Sequence, residues 1–214
     1  MKLYSTVLGE GQAEQYIEKS RFITYVKPAE TKEEADEFIA SIKKKHKDAT
    51  HNVPAMVLGD KFQIQWGSDD GEPQGTSGAP IVQMLVNEGI TNVVLVVTRY
   101  FGGIKLGTGG LVRAYTSSAK LGLEAAGIGD VKEMQILTYK VDYSVFNKIQ
   151  NLYFTFDVKI ANIVYADAVT CDLITDPAYT DELKELITGT SAGKAVLVSE
   201  TIRHELVEKS DEKI

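Results

Sequence analysis

Asn92-Val93-Val94-Leu95-Val96-Val97-Thr98-Arg99-Tyr100-Phe101-Gly102-Gly103-Ile104-Lys105-Leu106-Gly107-Thr108-Gly109-Gly110 decides how this chain folds. Val93–Val97 is apolar without a break, so no polar face is left for solvent and a central strand buried on both sides is expected. The glycine-rich stretch behind it cannot continue a strand, and a helix is expected from Leu111. On that helix Leu111, Tyr115, Ala119, Gly122 and Ala126 share one stripe, while Arg113, Ser117, Lys120 and Glu124 share another. The first stripe packs on a sheet, and Arg113 then faces outward near the loop.

The loop has the chemistry of an anion cradle. Gly102, Gly103, Gly107, Gly109 and Gly110 let backbone N–H groups approach a ligand, Thr108 is placed to cap, and a helix amino end offers unpaired donors. Arg99, Lys105 and Arg113 add three positive charges. The competing reading is that the glycines only solve a hard strand-to-helix turn and that Arg99 sits in an ion pair. Two familiar phosphate motifs fail. Gly102 and Gly107 have Walker A spacing but Thr108 stands where the lysine belongs, and Val112 replaces the last glycine of a dinucleotide fingerprint begun at Gly107.

Working toward the amino terminus, Ser68-Asp69-Asp70-Gly71-Glu72-Pro73-Gln74-Gly75-Thr76-Ser77-Gly78 cannot form a regular element. Asp69, Asp70 and Glu72 could hold Mg²⁺ against a bound phosphate, or supply a base. The preferred reading is structural, with a turn at Asp70-Gly71, Ser77 capping a helix over Pro80–Glu88, and pairing to Arg99 and Arg113. Further back, Gln15–Lys27 alternates as one long strand, Thr31 caps a helix from Lys32 to near Lys47, and Val53–Leu58 pairs with Phe62–Trp66. The charged helix face at Glu30–Lys47 reads as solvated.

Beyond the loop, Gly127-Ile128-Gly129-Asp130 is the expected boundary between domains 1–130 and 131–214. The second part has a strand at Gln135–Asp142, a helix capped by Ser144, a hairpin over Val158–Tyr165 and Ala168–Ile174, a helix from Thr180, and a strand at Ala195–His204. That order is βαββαβ, the split ferredoxin-like pattern.

The chain has 214 residues, 43% of them apolar, with 23 basic against 30 acidic side chains and a net charge of −7. Wholesale disorder is excluded, and the acidic balance argues against wrapping nucleic acid by overall charge, so any nucleic-acid contact must use a local patch. Residues 1–130 carry 14 basic and 16 acidic side chains and residues 131–214 carry 9 and 14, so acidity leans to the second part. A single cysteine, Cys171, permits neither an internal disulfide nor a multi-cysteine zinc site and reads as a core thiol. His46, His51 and His204 lack metalloprotease spacing, so no metal site is expected, and a catalytic role for His51 is disfavoured. No secretory leader or apolar run of membrane length is found, which points to the cytoplasm.

Ser68–Thr76, followed by Val96–Tyr115, closely resembles the paired motifs of the IMPACT/YigZ family, and the likeness extends to Lys19-Ser20-Arg21-Phe22-Ile23 and the βαββαβ tail. The resemblance implies an α+β protein. Its first domain would have the left-handed βαβ fold of a ribosomal-protein second domain, and its tail would be similar to the last domain of elongation factor G. It also implies translation control and nucleic-acid binding. Eukaryotic members bind an activator of the starvation-sensing kinase of initiation factor 2, and they carry an additional amino-terminal interaction domain. That domain is not found in these residues, so the kinase role is not carried over. Family members commonly have a cysteine shortly after the histidine, whereas Val53 stands there in His51-Asn52-Val53, which excludes thiol chemistry at that place.

The leading expectation is a non-enzymatic cytoplasmic protein acting in translation. Arg99, Tyr100, Lys105, Arg113 and the backbone from Gly102 to Gly110 would hold an RNA phosphate or an acidic protein segment. No cofactor, membrane contact or DNA specificity is expected. The rival is an enzyme or sensor for a phosphorylated small molecule, with Asp69, Asp70 or Glu72 holding Mg²⁺. A third reading is an interaction module working through the acidic second domain.

Overall fold

A computed structural model describes residues 2–208. Ten strands and five α-helices occur among them. The first part runs β1 (Lys2–Val7), β2 (Gly11–Ile17), β3 (Ser20–Pro28), α1 (Lys32–Lys45), β4 (His51–Leu58), β5 (Ile64–Gly67), α2 (Gly78–Asn87), β6 (Val93–Tyr100) and α3 (Gly107–Ala126). The second runs β7 (Ile128–Val141), α4 (Tyr143–Gln150), β8 (Val158–Tyr165), β9 (Val169–Thr175), α5 (Thr180–Ser191) and β10 (Val196–Glu208). Two units emerge among the described residues, Leu3–Val131 with Leu206–Glu208, and Lys132–Glu205 with Lys2. The fold is α+β.

In the first unit the sheet order is β2-β3-β6-β4-β5, antiparallel at each pairing. The apolar run of β6 is central because helices cover both sides. Val93, Leu95 and Val97 pack with α2 and α3, while Val94 and Val96 pack with α1. Strand alternation thus distributes one continuous hydrophobic run between two cores. Tyr115 of α3 is fully buried and meets Phe22 of β3 edge to face, with ring centroids 5.4 Å apart. Gly122 lets α3 approach the sheet, since a Cβ there would lie 2.4 Å from the Thr24 methyl.

The other sheet has five strands, β1-β7-β9-β8 with β10 also paired to β7, and within it β10-β7-β9-β8 is the ferredoxin-like order. Its core joins Leu137, Tyr139, Val169, Cys171 and Leu173 of the strands to Phe146, Ile149, Leu183 and Ile187 of α4 and α5. Cys171 is buried there, and burial with Asp172 beside it pushes the thiol pKa up to about 11, the state of an unreactive core residue.

Several local expectations are corrected. Gln15–Lys27 is not one strand, because Glu18 and Lys19 both adopt positive φ and turn the chain back, pairing β2 with β3. β1 was not legible as a strand. It is tied by Ser5 to the turn after α2, through hydrogen bonds with Gly89 and Thr91. The stretch Gly127–Asp130 runs straight into a strand, since β7 begins at Ile128. Helix α3 starts at Gly107, earlier than Leu111, and Thr108 lies in its first turn instead of capping it. Asp142 caps α4 in place of Ser144, accepting from the Val145 N–H, while the Ser144 hydroxyl donates to the same carboxylate. The Thr31 capping box with Glu34 is present.

Candidate phosphate-binding site

Register brings the site together. On the two strands flanking β6, Phe22 and His51 both stand opposite Arg99, so β3 and β4 supply Arg99 with neighbours from both sides. Arg99 is only 4% exposed. Its Nη1 donates to Glu72 Oε1 at 2.6 Å and its Nη2 to Ser20 Oγ at 3.2 Å. The guanidinium lies 5.4 Å from the centroids of both Phe22 and Phe101, within cation–π range. Arg99 therefore remains beside the loop, but its charge is paired internally, and it does not present a free cation to solvent.

Glu72 is the centre of this buried cluster. The same Oε1 accepts from Tyr115 Oη at 2.7 Å and lies 3.7 Å from His51 Nε2. Burial, followed by the Glu72 carboxylate, raises the Tyr115 pKa far above its ordinary value, so the phenol stays a donor. His51 Nδ1 donates to the Asp70 carbonyl at 2.8 Å, because a carbonyl only accepts.

The acidic loop is held by separate partners. Asp70 and Gly71 both have positive φ and make the expected turn, closed by the Glu72 N–H on the Asp69 carbonyl. Asp70 bonds Lys43 Nζ at 2.7 Å and the Asn52 N–H at 2.6 Å. Asp69 does the capping assigned to Ser77. Its Oδ1 accepts from the Ser77 N–H, Ser77 Oγ and Gly78 N–H, and its Oδ2 from the Gly75 N–H. Among the described residues no cluster of carboxylates, histidines or cysteines could hold a metal ion. Asp69, Asp70 and Glu72 face different partners, and the expected pairing to Arg113 does not form.

Burial would raise the Asp69 pKa, but the bonds from Gly75, Ser77 and Gly78 outweigh it and hold the carboxyl below its ordinary value. The stabilisation is therefore complete above the unfolded-state pKa of ~3.9 and is lost as pH falls through the lower folded-state value. Asp69→Asn is expected to destabilise the protein by about 1–2 kcal/mol at neutral pH. Denaturant titrations should show the two proteins converging as pH falls below ~4. A difference that stays constant with pH would mean the carboxylate charge contributes nothing.

The exposed part of the site is the loop and the start of α3. Gly103 and Gly107 have φ of 89° and 70°, a backbone that L side chains rarely adopt. Gly102 serves close approach, and its N–H donates to Ser20 Oγ at 3.2 Å, so that amide works internally. Helix α3 has no side-chain cap and no acidic residue in its first turn, which contains the exposed Thr108 and Gly109 and the half-buried Gly110. Lys105 and Arg113 are exposed and border a hollow of about 470 Å³ with Ile104, Gly110 and, from the β2–β3 turn, Glu18. A second hollow, about 330 Å³, lies between Lys105, Gly107 and Thr108 on one side and Glu72, Arg99 and Phe101 on the other.

Tyr100 is not brought to this site. Alternation along β6 turns it to the α1 side, where its hydroxyl is 2.8 Å from His46 Nδ1, and His46 Nε2 is 2.7 Å from Tyr25 Oη. Burial, then Lys45 and Arg21, lower the His46 pKa. Sequence reading missed Ser20, Lys43 and Tyr115 as partners in the Arg99 cluster and its supporting loop. Pairing β3 and β4 against β6 would have pointed to Ser20, but the register was not legible.

A family model described as the Impact N-terminal domain matches residues 18–123, which include the acidic loop, Arg99 and the whole glycine-rich loop. The IMPACT family member YvyE of Bacillus subtilis (strain 168) is 41% identical over 192 residues, covering 90% of this chain and 88% of that protein. The IMPACT family member YigZ of Escherichia coli (strain K12) is 35% identical over 185 residues, 86% of this chain and 91% of that protein. A crystal structure described as that of a hypothetical protein has 31% identity and a TM-score of 0.58, covering 99% of this chain and 100% of the other. With motifs in the expected order and likeness over most of its length, the chain belongs to the IMPACT family.

Proposed function

We propose that this protein is a non-enzymatic, translation-associated RNA-binding protein of the cytoplasm that grips the phosphate backbone at the 101–110 loop. One observation carries the reading: Lys105 and Arg113 stand exposed around one hollow beside an uncapped helix start whose first turn is free of carboxylates. Uncapped amides and a helix dipole favour negative oxygen, and the two cations add full charges. Arg99 and Glu72 shape the floor as a neutral pair, and Phe101, 46% exposed, offers a ring for a base to stack on. No described helix is long and apolar enough to cross a membrane.

The contact is backbone-directed, so affinity depends on salt more than on sequence. Lys105→Ala with Arg113→Ala is expected to weaken single-stranded RNA binding and to flatten the log-log salt slope by roughly 1.4, at ~0.7 for each lost phosphate contact. Fluorescence anisotropy across a salt series measures it. An unchanged slope would remove the loop from the interface. Tight, Mg²⁺-dependent binding of free nucleotides without RNA binding would favour the small-molecule reading instead.

A further inference from the structure

Strand β10 closes the second sheet and has β7 as its strand partner among the described residues. Every residue of β10 is exposed except Glu205, on both faces of the strand. Val196, Leu197, Val198, Ile202, Leu206 and Val207 are among those exposed. Long edge strands are normally shortened, broken by proline, charged or covered, because their free N–H and C=O groups template pairing with another chain, and β10 carries charges only at Glu200, Arg203, Glu205 and Glu208 besides His204. This one runs for 13 residues without a proline.

We propose that the β10 edge is a homodimer interface, in which two copies pair their β10 strands antiparallel about a twofold axis through Ile202. Symmetry restricts the choice. Only residues of like parity present their backbone groups to the same edge, so the axis of an isologous pair must pass through a residue and not between two. With the axis at Ile202, Ile202 meets its own copy, Val198 meets Leu206, and Leu197 meets Val207. The polar residues also match, with Glu200 opposite His204, Thr201 opposite Arg203, and Ser199 opposite Glu205.

Moving the axis by one residue destroys the match. An axis at Thr201 sets Leu197 against Glu205 and Glu200 against Ile202. An axis at Arg203 sets Glu200 against Leu206 and Ser199 against Val207. Directly opposed cross-strand pairs are the stabilising unit of a sheet, and this register matches apolar to apolar and carboxylate to imidazole at the middle of the strand, leaving only Val196 opposite Glu208 mismatched at its ends. Glu200 already accepts from Lys184 Nζ at 2.8 Å, which fixes the carboxylate and leaves it able to accept again. The required partner is a second copy, because the strand is complementary to itself.

Cysteine trapping tests both pairing and register, since the native Cys171 is buried. Oxidised Ile202→Cys should form a covalent dimer as its main product, because opposed Cβ atoms lie ~4.5–5.5 Å apart. Oxidised alone, Val198→Cys should remain monomeric, since its symmetry mate is eight residues away along the strand, roughly 26 Å. Mixed with Leu206→Cys, it should cross-link. Failure of Ile202→Cys to cross-link, or equal cross-linking by Val198→Cys alone, overturns the proposal. Sedimentation equilibrium should show the parent protein as a dimer and Ile202→Lys as a monomer with an unchanged circular-dichroism spectrum and a thermal midpoint that no longer rises with protein concentration. A parent protein that stays monomeric at its highest attainable concentration also overturns it.

Discussion

Glu72→Ala is expected to lower the unfolding free energy by about 3–5 kcal/mol, enough to unfold many domains of ordinary stability. The side chain removed is the charge partner of Arg99 at 2.6 Å and the acceptor for Tyr115 at 2.7 Å. Arg99 is 4% exposed and Tyr115 fully buried, so neither can turn to water for a replacement partner. The cost arises chiefly from leaving a desolvated guanidinium unpaired, not from the intrinsic strength of the pair. Combining Glu72→Leu with Arg99→Met should consequently recover most of the loss, because apolar residues of similar volume remove both desolvation penalties together. Denaturant titration of the single and double variants measures the coupling. A Glu72→Ala protein within ~1 kcal/mol of the parent would mean that Arg99 is not held as described.

Gly102→Ala is the second large effect, and it acts on stability and on the proposed binding together. A Cβ at this position would lie 2.0 Å from the Lys19 carbonyl oxygen and 2.6 Å from the Ser20 nitrogen, both backbone atoms of the β2–β3 turn. Backbone cannot step aside as a flexible side chain can, so the 101–110 loop must lift from the turn. Overpacking costs typically about 1–3 kcal/mol, and the displacement separates Lys105 from the start of α3. RNA affinity should fall with stability even though no charge has been removed. Gly103→Ala is the internal comparison, since its Cβ would meet nothing and its penalty comes from a φ of 89° alone, about 1 kcal/mol. Equal thermal midpoints for the two alanine variants would sink this account of the turn.

Pattern-bearing parts of the chain were readable from sequence. The unbroken Val93–Val97 run implied burial on both sides, and β6 lies between β3 and β4 with helices on both faces. The βαββαβ tail followed from strand alternation and helical spacing. Turns were harder: Glu18 and Lys19 adopt positive φ without glycine, so nothing in the residue types marks the reversal.

Within the site, residue types announced the chemistry without assigning the partners. Glycines and cations around residue 105 were legible as a loop where they stand because glycine and charge act locally, and their binding an anion is the proposal made above. Tyr100 shared that stretch, yet strand alternation sends it to His46 on the other layer. Arg99 looked like a third free cation, and whether its charge faced a ligand or a carboxylate depended on Glu72, 27 residues earlier in the chain.

Sequence by itself determined the buried strand, the helix faces, the ferredoxin-like order and the place of the glycine loop, because each is a local or periodic property. Only the tertiary structure decided that Asp69 caps α2, that Glu72 neutralises Arg99, and that Lys105 and Arg113 are the cations left facing solvent. Those outcomes turn on strand register and loop closure, where a displacement of a single residue exchanges one partner for another.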